Sequence, residues 1–307
     1  MTRVFIDGSA GTTGLRIRER LSGRPDLSLI SLPEELRKDL SARRDALNSA
    51  DIAFLCLPDA ASAEAVTLVS SPDTVVIDTS TAHRTAEGWI YGFPELTGMR
   101  NRIAIARRIA NPGCHASGFI ALVAPLMEAG VLDPDVRLSC FSLTGYSGGG
   151  KKMIAEYESD PPAPLLAAPR QYGLSQTHKH LPEMMKVCGL VHAPVFSPIV
   201  APYYAGMEVT IPLTPLETSA SPDQIRDIFR SYYTGGLVTC REGNEESGFL
   251  SACFMAGRDD MEISVYGTEE RILLVSRFDN LGKGASGAAI QNMNLALGLD
   301  EATGLVR

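Results

Sequence analysis

The chain lacks paired cysteines, a basic patch and any long apolar run, and each lack closes a class of function. Its six cysteines, Cys56, Cys114, Cys140, Cys188, Cys240 and Cys253, are dispersed with no CxxC pair, which argues against a zinc site or a disulfide framework. They are expected to be reduced, and no metal is expected. A formal charge of -8 and a pI near 5.2, with Lys and Arg scattered apart from short pairs such as Arg43-Arg44 and Lys151-Lys152, leave no electrostatic footprint for nucleic acid. No stretch approaches the roughly 18 apolar residues of a membrane span. The strand-like run from Arg3 to Asp7 begins too early for a signal peptide. A cytoplasmic protein with a small-molecule substrate is the expectation.

What is present is enough hydrophobic sequence, 45% of 307 residues, for two domains with their own cores. The run VFIDGSAGTTGLRIRERL (4–21) reads as an apolar strand, a glycine-rich turn and a helix. Gly8, Gly11 and Gly14 are spaced GxxGxxG rather than GxGxxG, a turn that admits a pyrophosphate to a helix N-terminus and that also joins many strands to helices with no ligand. Further strands are predicted at Leu27 to Leu32, Asp51 to Leu57 and Thr74 to Asp78, alternating with helix-like segments, so a Rossmann-type parallel α/β sheet is expected. Ligands of such sheets gather at the carboxyl ends of the strands, where Leu57 to Ala60, Asp78 to Arg84 and Asn111 to His115 would arrive. No acidic residue clearly follows the second strand in the place that binds a ribose 2′-hydroxyl. Arg37 and Lys38 follow Glu34 and Glu35, which tilts the reading toward a phosphorylated ribose; a solvated helix face accounts for them equally well.

The second half alternates apolar and polar residues at Val136 to Leu143, Met207 to Leu213, Glu262 to Gly267 and Arg271 to Ser276, the pattern of a largely antiparallel sheet in an α+β domain. Between the halves, Gly145 to Lys152 and the proline-rich stretch to Pro169 read as an irregular loop at an active site or as a plain linker. Residues 284–297 have helical apolar spacing and are expected to pack back on the first domain. The expected division is a dinucleotide-binding domain of residues 1–114 completed by 284–307, and a catalytic and oligomerisation domain of 115–283.

Chemistry concentrates in two clusters. Cys114, in Asn111-Pro112-Gly113-Cys114-His115, enters a predicted helix at its N-terminus, where orphan N–H groups and the positive dipole end favour thiolate over thiol. Tyr172 and the run His178-Lys179-His180-Leu181-Pro182-Glu183 supply a base, an acid and a carboxylate of the kinds that serve a cysteine nucleophile. Pro182 argues against Leu181 being helical, so His180 and Glu183 are not assumed to be helical partners.

The runs GSAGTTG (8–14), DTSTAHRT (78–85), YGFPEL (91–96), NPGC (111–114), GYSGGGKKM (145–153), HKHLPEM (178–184) and DNLGKGASGAAIQNMN (279–294) together closely resemble the short form of the N-acetyl-gamma-glutamyl-phosphate reductase family, along the whole chain. The resemblance implies NADPH-dependent conversion of N-acetylglutamyl phosphate to N-acetylglutamate semialdehyde in arginine biosynthesis, on the fold shared with aspartate-semialdehyde dehydrogenase, by a homodimer or homotetramer. It implies Cys114 as nucleophile, His178 or His180 as acid/base, Glu183 and Tyr172 beside them, and Arg84, Ser147 and Lys151 as substrate or phosphate ligands. NADP(H) is then expected at Gly8, Ser9, Gly11, Thr12, Thr13, Gly14, Arg37, Leu57, Pro58, Ser80, Gly148 and Asn280. Two residues depart from the family pattern: His115 stands where an aromatic residue usually follows the cysteine, and Ser117 replaces a common threonine. The same chemical motifs would serve a sister acyl-phosphate reductase acting on aspartyl phosphate or a longer or carrier-linked analogue. A noncatalytic NADP-binding redox sensor would use Cys114 and the glycine turn alone and leave the His178 to Glu183 cluster unexplained.

Overall fold

A computed structural model describes every residue except Asn244. The chain forms two compact units, Met1–Pro112 with Ala285–Leu305, and Gly113–Gly284 with Val306–Arg307.

The first unit is built on a six-stranded parallel sheet of β1 (Thr2–Asp7), β2 (Leu27–Ile30), β3 (Ile52–Leu55), β4 (Val75–Asp78), β5 (Ile90–Tyr91) and β6 (Arg108–Ala110), in the order β2-β1-β3-β4-β6-β5. Alternate residues of each strand point to opposite faces, so Val4 and Ile6 join one apolar cluster and Phe5 the other. Helices α1 (Thr12–Leu21) and α4 (Met99–Ala104) flank the first face through residues such as Ile17 and Ile103, together with the C-terminal helix Gly287–Ala296. Helices α2 (Leu40–Ser49) and α3 (Asp59–Leu68) cover the second through Leu47 and Ala65. Both faces being covered explains why β3 is apolar throughout and β4 from Val75 to Ile77.

In the second unit the strands are β7 (Ser139–Gly145), β8 (Arg170–Gln171), β9 (Val195–Ala201), β10 (Met207–Leu213), β11 (Val238–Cys240), β12 (Met261–Thr268) and β13 (Arg271–Phe278). They form one sheet in the order β11-β12-β13-β10-β7-β9-β8. It is mixed rather than purely antiparallel, because β11 pairs β12 and β7 pairs β9 in parallel. Helix α5 (Cys114–Glu128) lies against β10 and β13 and is buried from His115 to Leu126. Helices α6 (Gly150–Tyr157), α7 (Leu181–Cys188) and α8 (Pro222–Tyr232) complete the unit, and the C-terminal helix is α9. The irregular loop expected after Gly145 is instead a 3₁₀ turn, Tyr146–Gly149, running straight into α6. Three consecutive glycines read as a loop, but only Gly150 among them takes a positive φ, and the residues after it favour a helix. Among the described residues no helix is long and apolar enough to cross a membrane.

Candidate active site

In the first unit a cavity of about 500 Å³ opens at the carboxyl ends of β1 and β2. Gly8 forms its floor with φ +85°, and a Cβ there would stand 2.3 Å from the Cys56 carbonyl oxygen, so only glycine permits this approach of two strand ends. Gly11 is the N-cap of α1 and supplies no side-chain cap, and the first turn carries no acidic residue. The helix start therefore offers its N–H groups to an anion. Thr12 Oγ1 is buried there without a hydrogen-bond partner. An uncapped ten-residue helix, a glycine floor and an orphan hydroxyl fit the pyrophosphate of a dinucleotide. Arg37 and Lys38, both exposed, line the same cavity beyond Ser31, together with Glu34. Arg43 also lines it, but its guanidinium is committed to Asp7, with Nη2 3.0 Å from Oδ2, and to Glu64 at 3.3 Å. Burial pushes the Asp7 carboxyl up while Arg43 draws it back down.

The ends of β3, β4 and β6 are laced together. Asp78, at the end of β4, accepts hydrogen bonds from Ser62 Oγ at 2.6 Å and Ser80 Oγ at 2.7 Å, and its Oδ2 lies 2.6 Å from His83 Nδ1. The His83 ring stacks on Trp89 at 4.1 Å. This fixes the loop bearing Arg84, whose Nε donates to the Asn111 carbonyl at 3.0 Å and whose Nη2 donates to that of Thr79 at 3.1 Å. Asn111 is held in turn by Asn292, which donates to its Oδ1 at 3.1 Å. The turn that leads to the cysteine is thus anchored before it leaves this unit.

In the second unit Cys114 is the first residue of α5, half-buried, with Gly113 as an N-cap that has no side chain to offer. A Cβ on Gly284 would come within 2.9 Å of the Cys114 Cβ, so a glycine is needed for that backbone to pass the nucleophile. Burial pushes the Cys56 thiol up to about 12 and raises those of Cys140, Cys188, Cys240 and Cys253 as well. Cys114 alone of the six sits at a helix N-terminus with uncapped N–H groups. Glu183, 1% exposed, accepts a hydrogen bond from Gly113 N–H at 3.2 Å through Oε2, and its Oε1 lies 4.0 Å from His180 Nε2. His180 and Glu183 are helical neighbours after all, because Pro182 falls in the first turn of α7, where its missing N–H and fixed φ suit a helix. His180 N–H donates to His178 Nδ1 at 3.2 Å, which leaves the ring proton of neutral His178 on Nε2. The two rings lie 4.7 Å apart, and His178 also faces Tyr172 at 6.0 Å. Burial raises the Tyr172 hydroxyl, and the charge of Cys114 adds to the rise.

The structure therefore gathers Cys114, Tyr172, His178, His180 and Glu183. Gly8, Ser9, Arg37 and Leu57 line the nucleotide cavity; Gly11, Thr12, Thr13 and Gly14 form the loop and first turn of α1 beside it, and Pro58 caps α3. Ser80 is turned inward onto Asp78 and does not line the cavity. Asn280 and Ser147 are buried partners at 3.0 Å, and Asn280 Oδ1 also accepts from Gly206 N–H. Gly148 follows in the same turn, and Lys151 is exposed at the start of α6. Sequence reading missed the Asp7–Arg43 pair, the Asp78–His83 network, and Ser142 and Phe196, which touch the His115 ring. Among the described residues no group of three or more His, Cys, Asp or Glu could hold a metal ion.

The semialdehyde dehydrogenase NAD-binding domain model matches residues 3–106, and the semialdehyde dehydrogenase dimerisation domain model matches residues 114–280. The N-acetyl-gamma-glutamyl-phosphate reductase of Brucella suis is 49% identical, over 96% of this chain and 99% of its own. That of Sinorhizobium medicae is 47% identical, over 96% and 98%. Among solved structures, aspartate semialdehyde dehydrogenase II of Vibrio cholerae shares the fold with a TM-score of 0.73 at 19% identity, over 97% of this chain and 98% of that one. With a nicotinamide-binding unit and a cysteine-centred unit on this fold, the chain belongs to the N-acetyl-gamma-glutamyl-phosphate reductase family of oxidoreductases.

Proposed function

We propose that this protein reduces N-acetyl-L-glutamyl 5-phosphate to N-acetyl-L-glutamate 5-semialdehyde and phosphate, with NADPH as reductant. The observation that carries the reading is Cys114 at the uncapped start of α5, with Tyr172, His178, His180 and Glu183 around it. The Cys114 thiolate attacks the acyl phosphate carbonyl, and backbone N–H groups of the first helical turn stabilise the oxyanion. Arg84 holds the departing phosphate. The acyl group is left on sulfur as a thioester, a better hydride acceptor than a carboxylate. A reduced nicotinamide, which the glycine turn and the cavity of the first unit would hold, would supply the hydride that this carbonyl carbon accepts. His178, as the imidazolium formed when it takes up the Cys114 thiol proton, returns that proton, and collapse releases the aldehyde and the thiol. His178 is preferred to His180 because His180 is buried, with Glu183 near its Nε2.

The preference for NADP over NAD rests on Arg37 and Lys38, which line the cavity beside Glu34. Lys151 and Ser147 are assigned to the substrate, and Gly148 and Asn280 to the nicotinamide side. The working form is a cytoplasmic homodimer or homotetramer assembled through the second unit, supported by the dimerisation-domain match over residues 114–280. Rates of NADP reduction with N-acetylglutamate semialdehyde and with aspartate semialdehyde test the substrate. A hundredfold preference in kcat/KM for the acetylated compound is expected, and a preference for aspartate semialdehyde would assign the chain to the sister reaction.

A further inference from the structure

His115, the departure from the family pattern, is 3% exposed and enclosed by Tyr172, His178, His180 and Phe196, whose rings lie 5.3 to 6.1 Å from its own. Its two ring nitrogens make one short contact each. Nδ1 lies 2.6 Å from Ser142 Oγ on β7, and Nε2 lies 2.6 Å from the Tyr172 hydroxyl. Which nitrogen carries the proton follows from Ser142. That residue is wholly buried, and among the described residues its hydroxyl has this one hydrogen bond. Were Nδ1 protonated, Ser142 could only accept, and its own hydrogen would be buried with no acceptor, a loss larger than the bond itself contributes. Ser142 therefore donates to Nδ1, Nε2 carries the proton, and Nε2–H donates to the Tyr172 oxygen. The hydroxyl hydrogen of Tyr172 is then directed away from His115.

We propose that His115 is a positioning residue that, relayed from Ser142, presents Tyr172 as a hydrogen-bond donor to the Cys114 sulfur and to the oxygen of the acyl group bound there. Burial, with His178 adding its charge, pulls the His115 imidazole down to about 3, so it holds a single ring proton across the working range. Tyr172 in turn stays protonated, since burial and the neighbouring Cys114 both raise it. A thiolate that receives this hydrogen bond is favoured over the thiol. The inference rests on the reading of Cys114 as nucleophile but not on the identity of the substrate.

The test uses the full chain and two readouts. Nitrogen-15 imidazole spectra, with the His115 signals assigned by their loss in His115→Phe, are expected to show the Nε2–H tautomer unchanged from pH 5.5 to 8.5; an Nδ1–H tautomer, or titration within that range, would overturn the relay. The pH dependence of iodoacetamide alkylation at Cys114 reads the hydrogen bond without any substrate. Tyr172→Phe and His115→Phe should each raise its midpoint by about one unit, the usual size for a lost charge-assisted bond, and the double variant should raise it no further. Ser142→Ala keeps the ring and should give the same shift. Additive shifts in the double variant, or no shift in His115→Phe, would contradict the proposal. If alkylation behaves as described while no aldehyde supports turnover, the relay stands and the substrate reading fails.

Discussion

Glu183 Oε2 accepts a hydrogen bond from Gly113 N–H at 3.2 Å, joining the first turn of α7 to the turn that delivers Cys114. A carboxylate from 70 residues away thus satisfies the amide just ahead of the nucleophile, leaving the first N–H groups of α5 for the oxyanion. Glu183→Ala leaves Gly113 N–H buried without its acceptor, and a loss of about 1–3 kcal/mol in urea unfolding is expected, together with a fall in kcat. Glu183→Gln keeps an acceptor and should recover most of the stability. Equal losses in both variants would mean that the charge toward His180, rather than the tie to Gly113, is what matters.

Cys114→Ser is expected to lose nearly all turnover while NADPH still binds, because the glycine loop and Arg37 belong to the first unit and Cys114 to the second. Fluorescence titration with NADPH checks this. Iodoacetamide at pH 7 should label the parent protein mainly at Cys114, since burial holds the other five thiols in their protonated form.

Replacing Arg37 and Lys38 together by Ala should raise KM for NADPH about tenfold or more, the scale of lost charge-assisted hydrogen bonds to one phosphate, and should leave KM for NADH within about twofold. Equal effects on both coenzymes would place the 2′-phosphate elsewhere.

The depressed His115 imidazole makes the fold sensitive to acid. The unfolded chain takes up a proton near the ordinary pKa of 6.5, whereas the folded chain does so only near 3. Stability from this group is fully present above pH 6.5 and is lost as pH falls from there toward 3. Between pH 7 and pH 5 the parent protein should lose about 2 kcal/mol more than His115→Phe, read from urea unfolding at each pH. Parallel pH profiles for the two proteins would mean that His115 charges readily in the folded state.

The parallel strands were legible because β1, β3 and β4 each carry an unbroken apolar stretch, Val4 to Ile6, Ile52 to Leu55 and Val75 to Ile77, and β10 alternates from Met207 to Leu213 as the structure has it. Strand β6 went unread because three residues, Arg108–Ala110, carry no usable period. Pro198 broke the pattern of β9, yet that strand pairs with β7 along its whole length. At the site, the residue types of Cys114, His178, His180 and Glu183 announce their chemistry in sequence. Ser142 does not, since an inward serine on a strand looks like any other small residue until His115 is seen against it. In sequence Arg43 is only one half of a short basic pair with Arg44, and tertiary contact with Asp7 shows it to be buried.

Acyl transfer through Cys114 to phosphate is tested directly by running the reaction in its oxidative direction. Purified protein given N-acetylglutamate semialdehyde and NADP should reduce NADP only when inorganic phosphate is present, because phosphate must release the acyl group from the Cys114 thioester. Turnover that proceeds equally without phosphate, or its absence from folded protein that binds NADP, would contradict the account.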